Sequence, residues 1–124
     1  MIITINTISE TPIYLQICNQ IIIGISDGRL RAGEQLPSVR ALAEEIGINS
    51  MTVNKAYQIL KQEGYIVTDR RMGARVCECY RGNEDLPPQT LETMQRIISE
   101  AKIRGISRKA FLEKCAAMYG EESE

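Results

Sequence analysis

Histidine and tryptophan are absent from this sequence, phenylalanine occurs once, and only four prolines and four cysteines punctuate its 124 residues. Without histidine the commonest metal ligand is gone, and Cys18, Cys77, Cys79 and Cys115 form no Cys-x-x-Cys pair, so no metal site is expected. Cys77 and Cys79 would share one face of a strand, where a vicinal redox pair and a pair of small buried thiols are both open readings. A phosphate-cradling glycine loop is missing too, as is a carboxylate pair set for a cleft; Glu44-Glu45 reads as a solvated helix face. Neither an enzyme nor a cofactor is therefore expected, and no catalytic residue is assigned.

No apolar run approaches the ~20 residues needed to span a bilayer. The opening MIITI is too short for a signal peptide and lacks a basic region, so the expectation is a cytoplasmic protein with no membrane partner. An excess of either charge is also lacking: 15 Lys+Arg against 16 Asp+Glu leave the chain at −1 overall. Residues 1–82 hold nine Lys+Arg against eight Asp+Glu, and residues 83–124 hold six against eight. A nucleic-acid footprint, where one exists, must be local, and a symmetric dimer would double it.

What is present is strong helical patterning. In LPSVRALAEEIGINSMTVNKAYQIL, Leu36 to Leu60, the residues Val39, Leu42, Ala43 and Ile46 line one helical face, with Pro37 suited to the first turn and Gly47 as the stop. Val53, Ala56, Tyr57 and Leu60 repeat the pattern in a second helix, which Ser50 would cap and Gly64 would end. This reads as a helix-turn-helix. The outward face at the start of the second helix offers Asn49, Ser50, Thr52, Asn54 and Lys55, short polar donors and acceptors plus one cation, suited to base edges in a major groove. Two helices around a glycine turn also occur in many all-α proteins.

Upstream, Ile2 to Ile5 suggest a short strand or an ordered arm. Thr11 and Pro12 then read as cap and first-turn residue of a helix reaching about Asp27, burying Ile13, Ile17, Ile21 and Ile25, with Tyr14, Gln16 and Gln20 off that stripe. GRLRAGEQ, Gly28 to Gln35, reads as a loop, either phosphate-facing or merely solvated. Downstream, Tyr65 to Val67 and Ala74 to Tyr80 are strand-like on either side of a polar turn carrying Arg70, Arg71 and Gly73. That is a wing with a basic tip, although a solvated turn would explain the two arginines alone.

The segments PIYLQI, Pro12 to Ile17, and GRLRAGEQLPSVRALAEEIGINSMTVNKAYQILKQEGYI, Gly28 to Ile66, resemble the DNA-binding head of the GntR family of bacterial transcription regulators. The resemblance rests on the Gly-x-Leu-x-x-Gly-x-x-Leu-Pro-Ser run, Arg40, Thr52-Val53 and Glu63-Gly64, and it covers about two-thirds of the chain. It implies that Ser38 and Arg40 hold phosphates or base edges, and that Gly73 lets the wing backbone approach a minor groove. Many members carry arginine where this chain has Ser50 and Asn54, and threonine where it has Met51, so the operator differs while Asn54, Met51 and Thr52 can still read bases.

After Pro87 and Pro88, Leu91, Met94, Ile97, Ile98 and Ala101 form one helical stripe, and beyond Gly105 Phe111, Leu112, Cys115 and Tyr119 form another. So short a C-terminal part resembles the YtrA subfamily, whose two C-terminal helices build a dimer and whose members typically repress transporter or envelope-stress operons. The predicted class is α+β, a winged helix-turn-helix over residues 1–82 followed by a linker and a helical hairpin for dimerisation over 83–124. The dimerisation set is Leu91, Met94, Ile97, Ile98, Phe111, Leu112, Cys115 and Tyr119; packing of the same faces onto the N-terminal half is the other arrangement. The function expected is a homodimeric repressor on a double-stranded DNA operator with inverted repeats, a winged-helix protein-interaction module being the alternative. No small-molecule effector is named by the sequence.

Overall fold

The computed structural model describes residues 1–71, 73–78 and 85–120 and divides into two units, Met1–Arg81 and Gly82–Glu124. The first holds α1 (Ile13–Ser26), α2 (Val39–Ile46), α3 (Ser50–Gln62), β1 (Ile66–Asp69) and β2 (Gly73–Val76); the second holds α4 (Pro88–Ile103) and α5 (Arg108–Tyr119). The winged helix-turn-helix order is the predicted one.

α1 starts one residue later than the sequence suggests, because Pro12 rather than Thr11 takes the cap position, and its carbonyl accepts from Leu15 and Gln16 at 3.0 Å. Ile17 and Ile21 are fully buried, while Ile13 and Ile25 are half-buried at the ends of the stripe. Gln16, expected off the stripe, is buried. Its carboxamide accepts from the Asn6 backbone N–H at 2.9 Å and donates to the carbonyls of Asn6 and Thr11 at 2.9 and 2.8 Å. Gln20 repeats the exchange with Thr4 at 2.9 and 2.6 Å. Four residues of helix rise about 6 Å and two residues of extended chain about 6.6 Å, so the two amides meet alternate arm residues. Residues 2–5 are thus an ordered arm and not a strand.

The core gathers around α3, which packs on α1, α2 and β1. Ile17, Ile21, Leu42, Val53, Leu60, Ile66 and Val76 are its most completely buried side chains. Each contributes about 2 kcal/mol by leaving water. Both helices of the helix-turn-helix start differently from the sequence reading. The Ser38 hydroxyl accepts from Ala41 N–H at 3.0 Å, which puts Pro37 outside α2, and Asn49 Oδ1 accepts from Met51 N–H at 2.6 Å, which makes Ser50 the first helical residue of α3. Gly47 ends α2 at φ 70°, as its position predicts.

β1 and β2 pair antiparallel from Ile66↔Val76 to Asp69↔Gly73. β2 is shorter than the composition of Ala74 to Tyr80 suggests. Cys77 follows it, donating its N–H to the Tyr65 carbonyl at 3.0 Å, and Cys79 lies outside the described residues. The segment read as a loop also contributes: Gly33 N–H donates to Val76 O, Val76 N–H to Glu34 O and Leu36 N–H to Ala74 O, all within 2.9 Å. Gly33 to Leu36 therefore lie along β2 as a third extended segment. Of its arginines, Arg29 is held by Asp27 at 3.0 Å.

In the second unit Pro88 opens α4, the helix position that tolerates proline, and Pro87 caps it. Gly105 at φ 80° and the Ser107 cap, which accepts from Ala110 N–H at 3.1 Å, turn the chain into α5. Burial is concentrated at this turn, with Ala101 buried and Ile98 and Phe111 half-buried. Leu91, Met94, Ile97, Leu112, Cys115 and Tyr119 are exposed in the protomer.

Candidate nucleic-acid interface

α3 is fixed from behind before its outer face meets anything. Val53, Ala56, Tyr57 and Leu60 face the core, the Tyr57 hydroxyl donates to the Pro37 carbonyl at 2.7 Å, and the Cys18 thiol of α1 reaches the Ala56 carbonyl at 3.5 Å. Burial pushes the Cys18 thiol up to about 11, helped by the Glu63 carboxylate. Tyr57 is raised above the usual phenol range by burial and, secondarily, by Glu45. Both remain protonated donors at neutral pH, so α3 is tied to α1 and to the entry of α2 by neutral groups.

The opposite face is open. Met51 is 78% exposed, Ser50, Asn54 and Lys55 are exposed, and Thr52 is half-buried. Ser50, Met51, Asn54 and Lys55 line a shallow depression of about 390 Å³ against Val39 of α2. Lys55 Nζ lies 4.0 Å over the Tyr14 ring, a cation–π contact that draws this cation towards α1. Arg40 is exposed in the first turn of α2. Because the oxygens of Ser38 and Asn49 already accept backbone N–H bonds, what these two caps offer outward is donation, the sense a phosphate requires.

On the wing, Arg70 and Arg71 are exposed at the turn. Asp69 shapes it: one carboxylate oxygen accepts from the Arg71 N–H at 2.9 Å and the other from Arg75 Nη2 at 3.1 Å. Gly73 has φ 72°, a left-handed conformation in which a side chain would be strained. Between α3 and this hairpin runs a second groove, about 230 Å³, whose polar lining is Ser38, Asn54, Gln58, Lys61 and Thr68, with Gly73 at its edge. Val39 and Asn54 line both depressions, which makes them one continuous surface. Gln58, Lys61 and Thr68 were not singled out from the sequence. Gln58 and Lys61 stand four and seven residues after Asn54, so extending the polar face by helical spacing would have found them; Thr68 depends on the hairpin's placement, which spacing does not give.

The model for bacterial regulatory proteins of the gntR family matches residues 13–76, from the start of α1 to the end of β2. This chain belongs to the GntR family. The HTH-type transcriptional repressor YtrA of Bacillus subtilis is 37% identical over 106 residues, 84% of this chain and 82% of that one. A structure described as a transcriptional antiterminator from Listeria monocytogenes superposes with TM-score 0.80 at 30% identity, covering 100% of this chain and 98% of that one. YtrA from Sulfolobus acidocaldarius, a GntR-family transcription factor, matches with TM-score 0.63 at 38% identity, over 84% of this chain and 99% of the other.

As a GntR-family regulator the chain is a DNA-binding protein and not an enzyme, which sets aside the protein-interaction reading. Among the described residues no cluster of acidic or thiol side chains could hold a metal ion, and no helix is long and apolar enough to cross a membrane.

Proposed function

We propose that this GntR-family regulator is a cytoplasmic homodimeric repressor that places one α3 in each half-site of an inverted-repeat operator. The observation that carries the reading is the continuous open face made by the start of α3, the first turn of α2 and the wing. On it Asn54 reads a base, adenine being the one its carboxamide fits, while Met51 meets a thymine methyl and Ser50, Thr52 and Asn49 donate nearby. Ser38, Arg40 and Lys55 contact the adjoining backbone, and Arg70, Arg71 and the Gly73 backbone approach the neighbouring minor groove.

Dimerisation is assigned to the apolar faces of α4 and α5: Leu91, Met94, Ile97, Ile98, Phe111, Leu112, Cys115 and Tyr119. A protomer that leaves most of these exposed gains by covering them with a second copy. Repression, the role named for the Bacillus subtilis relative, is steric here, and the resemblance to the YtrA subfamily points to a transporter or envelope-stress operon as the controlled genes.

The test is fluorescence anisotropy against DNA from upstream of the gene and against a mixed-sequence duplex, across a salt series. Tight, salt-dependent binding that prefers the upstream duplex, lost in Arg40→Ala and Asn54→Ala, is expected. Equal weak binding to both duplexes would reject an operator at that location.

A further inference from the structure

The groove between α3 and the wing continues the base-reading face, shares Asn54 with it, and holds the second of α3's two cations. The first, Lys55, lies over the Tyr14 ring. Lys61 instead lines the groove, on the same face of α3 as Asn54 and Gln58, and across from Thr68 of β1 and the left-handed Gly73. Seven residues of helix place it about 10.5 Å along the axis from Asn54. Among the described residues its ammonium makes no ion pair. When α3 reads a major groove and the wing reaches the neighbouring minor groove, the DNA strand separating the two grooves must pass through this cleft. A cation between neutral donors is what a passing phosphate requires.

We propose that Lys61, with the Thr68 hydroxyl opposite it, clamps a phosphate of the strand that runs between α3 and the wing. The assignment rests on the DNA-reading surface proposed above and adds to it a contact without sequence preference. Two consequences separate it from base reading. Lys61 releases a counterion when it meets the phosphate, so it contributes to the salt dependence of binding, whereas Thr68 as a neutral donor contributes affinity alone.

The experiment measures the full-length protein by anisotropy on the upstream duplex and on a mixed-sequence duplex, over about 50–200 mM salt. Lys61→Gln is expected to weaken both duplexes by the same factor and to flatten the slope of log K against log salt by about 0.9 per protomer. Lys61→Arg should restore the slope, and Thr68→Val should weaken both duplexes with the slope unchanged. Circular dichroism melting of Lys61→Gln, an exposed position, checks that the fold is intact. An unchanged slope in Lys61→Gln while Arg40→Ala still weakens binding would overturn the clamp and leave the reading surface standing. Loss confined to the upstream duplex would overturn it in favour of a base contact. A wild-type protein with no salt-dependent binding to either duplex would remove the reading surface, and the clamp with it.

Discussion

Two buried protons report directly on how α3 is seated. Cys18 is raised from the ordinary thiol value of 9.0 to about 11, chiefly by burial. The unfolded chain therefore ionises this thiol first, and the stability it supports is fully present below about pH 9 and lost as pH rises towards 11. Urea midpoints should fall across that window, and in Cys18→Ala the fall should begin only near pH 10, where Tyr57 in the unfolded chain starts to ionise. Tyr57→Phe removes the 2.7 Å bond to the Pro37 carbonyl and deprives that part-buried acceptor of its phenol donor. A loss of about 1 kcal/mol in urea denaturation is expected, together with weaker DNA binding because the entry of α2, with Ser38 and Arg40, is no longer fastened to α3.

At the scale of elements, the start of α3 offers a clean contrast between two neighbouring residues. Asn49 caps the helix and Ser50 is its first residue, so Asn49→Ala should destabilise the fold by about 1 kcal/mol while Ser50→Ala should leave thermal stability nearly unchanged. Equal losses would mean that the cap is shared. Helix existence and facing were legible in the sequence here, because Val53, Ala56, Tyr57 and Leu60 repeat at the period of the backbone itself. The cap was not, since asparagine and serine are nearly equivalent caps and only the chain's path into the helix chooses between them. Gln16 escaped for a related reason. A carboxamide normally belongs outside, and its burial depends on an arm ten residues earlier folding back to satisfy it.

At the scale of the whole molecule, α4 in the second unit exposes an apolar stripe, Leu91, Met94 and Ile97, which the proposed dimer would cover. Leu91→Asp or Ile97→Asp should convert the proposed dimer to a monomer, read by light scattering after size exclusion. Binding to an inverted repeat should then fall by far more than binding to a single half-site, because the two recognition helices no longer act as one ligand. A variant that remains dimeric would move the interface off this stripe of α4.

The sequence by itself determined the order of elements, the glycine stop at Gly47, the basic wing turn and the family to which they point. Those features are written in local periodicity and in residues whose backbone preferences do not depend on distant partners. Only the tertiary structure decided that Gly33 to Leu36 run along β2, that Lys55 is drawn over Tyr14, and that Gln58, Lys61 and Thr68 share one groove. Each of these joins residues brought together by the packing of α1, α3 and the hairpin around a common core, and no spacing rule along a single element encodes the meeting of side chains from different ones.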